Sequence, residues 1–268
     1  MHVADTSPAP APTVGDLLRH WRAQRRFSQL DLAGRAAVSA RHLSFVETGR
    51  AKPSRELVLH LADHLEVPLR EPNALLLAAG YAPTYRQRSL DDGEMAPVRA
   101  ALDAMLTGHE PFPAFVVDRG WNLVTANRPA LELMAEGVAD HLLAPPLNVL
   151  RACLHPDGLG RRIVNFAEYA GMLVERVRRE AEAYGDPQLV ALHDELRGYP
   201  GVPVSAAVEV AGLVVSPLRL RAGGITLSFF STLASFGTAR DVTVEELSIE
   251  QFFPADAATA EALRARWG

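Results

Sequence analysis

The hydrophobic period of the chain changes near Pro111, which limits it to a helical N-terminal part joined to a part that mixes strands and helices. Before that point apolar residues recur at helical spacing: Val14, Leu17, Leu18 and Trp21, then Leu30, Leu32, Ala33 and Ala36, then Leu43 and Val46. Leu57, Val58, Leu61 and Leu65 follow, and then Leu75 to Ala79. Ser28, Ser39 and Ser54 stand where helices should begin, and Gly49, Gly80 and Pro83 where they should stop. Five short helices are predicted between Thr13 and about Ala82, and a connecting helix near residues 94–107. Beyond Pro111 the pattern predicts strands at 114–117 and 121–126 around a turn at Asp118-Arg119-Gly120, and helices near 129–136, 163–184 and 187–197. Strands at 202–210, 213–220, 225–231 and 247–252 complete the reading.

The expected fold class is therefore α+β, an all-helical domain over 13–83 followed by an antiparallel sheet with packed helices over 111–258. Residues 84–110 read as linker and connecting helix, 259–268 as a C-terminal tail, and 1–12, rich in Pro and Ala, as a disordered tail. The one cysteine excludes a disulfide framework, and neither a signal peptide nor a membrane-spanning run is apparent, so a cytoplasmic protein with no membrane contact is expected.

Charge is divided unevenly. Residues 1–88 hold 12 Arg and Lys against 8 Asp and Glu, and residues 89–268 hold 15 against 24, so the halves carry +4 and −9 of the net −5. A basic part on an acidic chain is what local contact with phosphates requires. Lys52 is the single lysine, so arginine at any one position is weak evidence for bidentate chemistry.

From Ser28 to Arg50 the spacing is that of a helix, a short turn and a second helix. On the second helix Leu43 and Val46 face inward, while Ala40, Arg41, Ser44 and Phe45 lie outward, where a helix can reach base edges in a major groove. Ser28 and Gln29 open the preceding helix, where free amides favour a phosphate oxygen. Ser39, at the start of the helix, and His42 are further candidate DNA contacts, and Arg50 and Lys52 in the following loop are either phosphate contacts or exposed loop charges. His60 and His64 have metal-ligand spacing but read as a solvated face.

Residues 13–82 resemble the XRE-type helix-turn-helix domain of lambdoid phage repressors. The resemblance implies that Gln29 clamps a phosphate, that Ala40, Arg41, Ser44 and Phe45 occupy base-reading positions, and that Arg22 and Glu47 form a buried structural pair. Phe45 departs from the polar residue often found there; it either touches a thymine methyl or belongs to the core or to an inter-domain contact.

The second half carries Pro113-Ala114-Phe115-Val116-Val117-Asp118-Arg119-Gly120-Trp121-Asn122, Asn148-Val149-Leu150-Arg151, Leu154-His155-Pro156-Asp157-Gly158, Asn165, Gly185-Asp186-Pro187, and Leu227-Ser228-Phe229-Phe230. Phe236-Gly237-Thr238 and Glu250-Gln251-Phe252-Phe253-Pro254 follow. These resemble the MmyB-like ligand-binding domain of transcription regulators. The resemblance implies a PAS-like fold, a small apolar ligand of the fatty-acyl class such as a long-chain fatty acid, and a homodimer on a double-stranded DNA operator.

From the residues themselves, Trp121, Phe166, Phe229 and Phe230 either line a cavity or pack a core, with Asn127, His155, Arg162 and Asn165 as orienting polar groups or as caps and turns. Cys153 reads as an inert buried thiol, and Glu175 to Glu180 as a solvated helix face. No nucleotide, dinucleotide or metalloprotease motif appears, so neither an enzyme, a cofactor nor a metal is expected. Two rivals stay open: a redox or cofactor-bearing PAS sensor, and an acyl-modifying enzyme fused to a DNA-binding domain.

Overall fold

A computed structural model describes residues 12–203 and 217–268. They divide into two compact units, one ending at Gln87 with 240–242 added, the other formed by the rest. The tail expected over 1–12, all but Pro12, lies outside the described residues, as do most of the strand expected at 202–210 and the first part of that expected at 213–220.

The first unit is five helices: α1 (Val14–Gln24), α2 (Gln29–Arg35), α3 (Ala40–Glu47), α4 (Arg55–His64) and α5 (Arg70–Ala78). Hydroxyls start four of them. Thr13, Ser28, Ser39 and Ser54 each accept a hydrogen bond from the amide three residues on, and Asp16 and Asp31 return the bond to close capping boxes. The inward faces meet in one core of Leu18, Trp21, Leu32, Leu43, Val46, Val58, Leu61 and Leu75.

Close approach of α1 to α3 depends on a glycine. A Cβ at Gly15 would stand 2.5 Å from the carbonyl oxygen of Glu47, which is backbone and has no rotamer to move. Gly15→Ala is expected to destabilise this unit by about 1–3 kcal/mol in urea denaturation, as overpacking does; an unchanged midpoint would mean that the helices separate freely.

The second unit is built on a five-stranded antiparallel sheet in the order β2-β1-β5-β4-β3, from β1 (Ala114–Val117), β2 (Leu123–Ala126), β3 (Leu218–Ala222), β4 (Ile225–Ala234) and β5 (Ser248–Pro254). One face, carrying Ala114, Val116 and Ile249, packs on Leu102 and Leu106 of α6 (Ala96–His109). The other, carrying Phe115, Leu220, Leu227, Phe229 and Phe252, is covered by α7 (Arg128–Ala135), α9 (Val149–Leu154), α10 (Phe166–Tyr184) and α11 (Pro187–Arg197). Short α8 (Asp140–Leu143) and α12 (Val242–Glu245) and the final α13 (Ala257–Trp267) complete the order. This is the α+β, PAS-like arrangement that the periodicity and the resemblance predict.

Three expectations need correction. Residues 259–268 are not a tail: Asp256 caps α13, Leu263 and Trp267 are buried in the core, and the Trp267 indole donates to Glu132. The alternating Ala and Arg of that stretch hid its apolar spacing. The connecting helix is α6, which covers one sheet face rather than merely linking two parts. Trp121 is not in a strand; its amide closes the turn on Asp118, and β2 begins at Leu123.

Candidate functional site

On the helical unit, α3 buries Leu43, Val46 and Glu47 and leaves Arg41 and His42 exposed, with Ala40, Ser44 and Phe45 half-buried beside them. The Arg41 guanidinium lies 5.4 Å from the centre of the Phe45 ring, so the aromatic supports the arginine one turn earlier. Neither alternative considered for Phe45 anticipated this contact. Arg50 and Lys52 are exposed, and the Lys52 ammonium sits over Tyr81. Ser28 and Ser39 spend their hydroxyls on helix caps.

Behind this face lies a buried ion pair. Arg22 donates from Nε and Nη2 to the two carboxylate oxygens of Glu47 at 2.7 and 2.9 Å, and Glu47 is 2% exposed. Gln29 adds its amide to Glu47 Oε2 at 2.7 Å, a bond the sequence reading did not foresee. Burial raises the Glu47 carboxyl, but the Arg22 and Gln29 hydrogen bonds outweigh it and hold the group below the usual carboxylate range. The pair joins α1 to α3, and Gln29 brings in the start of α2.

In the second unit a cavity of about 80 Å³ opens between the sheet and α7, α9 and α10. Its wall is apolar, with Phe115, Leu133, Met134, Leu150, Phe229 and Phe252 prominent. Among the described residues Glu250 is the one carboxylate that lines it, and none of them there is Arg, Lys or His. Burial raises the Glu250 carboxyl above its ordinary value. Ser231 donates to Oε1 at 2.8 Å, and Arg176 stands 3.6 Å from Oε2. Tyr169 and Cys153 complete the less apolar part of the wall. Burial pushes the Cys153 thiol up to about 12, the opposite of what a reactive thiolate needs.

A second, polar cavity is lined by Asp118, Arg119, Arg176, Glu180, Glu245 and Glu246 among others. Trp121 borders both. Its φ of 64° is uncommon for a bulky residue and costs on the order of 1–2 kcal/mol. The indole donates to Glu180 at 2.8 Å, and the Arg176 guanidinium lies 4.4 Å from the ring centre. The run from Glu175 to Glu180 is thus only partly the solvated face expected: Arg178 pairs with Glu175 and Glu182 outside, while Arg176 and Glu180 turn toward Trp121.

Of the ligand-site residues expected from sequence, Trp121 and Phe229 line the apolar cavity and six do not. Phe230 follows Phe229 in a strand and so points to the other face, where it stacks on Phe253. Asn127 caps α7 and ties Ala114 and Phe112 together. Asn165 bridges Pro217 and Arg219, and Phe166 packs over Gly160 and Gly201. Arg162 donates to the carbonyls of Leu133, Glu136 and Arg221. His155 ends α9 in a turn with its ring against His141 and Tyr199. Glu250, Tyr169 and Leu150 were missed; the periodicity marks Leu150 as apolar, but nothing local marks a strand glutamate as inward.

Among the described residues one group has metal-ligand geometry, His141, His155 and Asp157, with atoms within 4.8 Å of one another. Asp157 also pairs with Arg161, and its amide already donates to His155 Nδ1. His60 and His64 stack edge to face, and His60 bonds the carbonyl of Ala36.

Residues 98–265 match the MmyB-like transcription regulator ligand binding domain, and residues 13–75 match a helix-turn-helix domain. The chain belongs to the MmyB-like transcription regulators. No curated protein sequence matches it significantly. In this MmyB-like regulator the family match takes in the sheet, most of α6 and most of α13. A DNA-binding domain and a ligand-binding domain in one chain make it a transcription regulator, an architecture of control rather than of catalysis. No helix among the described residues is long and apolar enough to cross a membrane.

Proposed function

We propose that this MmyB-like regulator is a cytoplasmic homodimer of the XRE type whose affinity for a double-stranded operator is set by a small apolar, fatty-acyl-like ligand. The apolar cavity inside the family's ligand-binding domain carries this reading. Such a wall, with few polar groups, is the usual make-up of a small-molecule site. At about 80 Å³ the space is roughly half that of the engineered cavity of about 150 Å³ that takes benzene. An acyl chain of any length therefore needs Met134, Leu133 or Trp121 to give way. A ligand that binds one arrangement better than another shifts the balance between them, which is all that regulation requires.

On the DNA side, two copies of α3 would enter successive major grooves about 34 Å apart. Arg41 and Ser44 are assigned to base edges, Ala40 and Phe45 to apolar contact or support, and His42 to the flank. Arg50 and Lys52 are assigned to phosphates, with Ser28, Gln29 and Ser39 at the ends of their helices nearby. Arg41→Ala should cost about 1–3 kcal/mol on the cognate operator and relax preference at one position, measured by competition binding at fixed salt. Equal loss on every sequence would make Arg41 a phosphate contact.

The reading as a whole is tested by native mass spectrometry of the purified protein, then denaturation and identification of what is released. A dimer with a reproducible apolar adduct that alters operator binding supports it. Chemical turnover of that adduct, or a protein that stays monomeric on its operator, would overturn it.

A further inference from the structure

Apart from the thioether of Met134, the described side chains that bring a hydrogen-bonding group to the apolar wall are Trp121, Cys153, Tyr169 and Glu250. Three of these have no strong hydrogen bond to offer a ligand. The Trp121 indole donates to Glu180, and the two Glu250 oxygens are engaged by Ser231 and Arg176. The Cys153 thiol is a weak donor, and burial keeps it protonated. Tyr169, near the start of α10, is different. It is 6% exposed, and among the described residues none hydrogen-bonds its hydroxyl. Nor is that oxygen sealed in protein, so the space it meets is the cavity whose wall it forms.

Buried polar groups are nearly always paired, so a buried hydroxyl without a partner calls for an explanation. Burial, with Cys153 and Glu250 nearby, raises the phenol well above its ordinary range, so its proton stays in place. Its oxygen lone pair is delocalised into the ring, which makes it a better donor than acceptor. One unspent donor in an apolar wall is what orients an otherwise featureless chain. We infer that Tyr169 anchors the polar end of the ligand, donating its hydroxyl proton in a hydrogen bond to a carbonyl or carboxyl oxygen of the chain. This rests on the cavity being the ligand site, and adds the residue that fixes which way the chain lies in it. Tyr169 and Arg176 are two turns apart on α10 and share one face, so the anchor is in line with the guanidinium that covers Trp121.

The test compares heptan-2-one with 1-chloroheptane, a chain of matched size without the oxygen, as ligands of the full-length protein. Calorimetry is run on wild type and on Tyr169→Phe, which removes one oxygen and keeps the ring that packs the wall. The variant should bind the ketone about tenfold more weakly than wild type and the chloroalkane within about twofold of it. Equal loss of both chains would make Tyr169 a packing residue only, and an undiminished ketone would place the anchor elsewhere. Either result overturns the inference and leaves the cavity reading standing. Binding of neither chain by wild type would overturn the cavity reading itself. A second readout needs no variant: the carbonyl carbon of labelled heptan-2-one bound to wild type should resonate downfield of its position in a hydrocarbon solvent, as a hydrogen-bonded carbonyl does. A resonance at the hydrocarbon position would also overturn the inference.

Discussion

Glu47→Ala is expected to cost the helical unit about 3–5 kcal/mol, because it leaves the Arg22 guanidinium without the carboxylate it was folded around. For a unit of this size that is a large share of the total stability. Arg22→Ala should cost a similar amount for the converse reason. The double variant should lose much less than the sum, since with both charges gone nothing charged is left uncompensated. Denaturation monitored by circular dichroism on the three variants gives the cycle directly; additive losses would mean that the pair is not coupled. The same pair predicts an acid sensitivity. Glu47 titrates lower in the fold than in the unfolded chain, so its contribution is complete above about pH 4.3 and is lost as pH falls through its folded value. Glu47→Gln should be indifferent to that descent.

The second large effect concerns the cavity wall. Phe229 is 2% exposed and is packed edge to face on Phe252. Phe229→Ala should destabilise the sheet unit by about 3–5 kcal/mol, through lost transfer energy and through the enlarged void. The void adjoins a space already present, so an apolar ligand that fills both should restore part of the loss by mass action, and should raise the melting temperature of the variant more than that of wild type. Thermal scans with and without decanol measure this. A variant that loses stability but gains nothing extra from the ligand would place the binding elsewhere.

How far the sequence could be read depended on the range over which its signals act. The helical unit was legible almost residue by residue, because serine caps, glycine stops and a 3.6 period are local, and Ser28, Ser39 and Ser54 do cap α2, α3 and α4. In the sheet unit β1 and α11 were placed to the residue, but the pocket was not. A pocket wall is assembled from facing elements, and whether a given side chain looks inward depends on register, which a one-residue slip inverts. Phe230 and Phe229 look alike in sequence and face opposite ways. Asn127 and Asn165 read in sequence as orienting polar groups or helix caps; Asn127 does cap α7, and the burial of both is explained by backbone groups they satisfy. Glu250 was the reverse case, one charge among many on an acidic half, distinguished only by the three elements that close over it.

The position of Trp121 has an optical consequence. It is one of three tryptophans; Trp21 lies in the core of the helical unit and Trp267 on α13. Indole emission shifts with the field of nearby charges, and Trp121 has the Arg176 cation over its ring and the Glu180 carboxylate on its nitrogen. Anything that entered the apolar cavity would press on one edge of this ring while the polar cavity holds the other. With Trp21 and Trp267 replaced by phenylalanine, the remaining emission comes from the partition itself, and the protein reports the filling of its own cavity without an added dye.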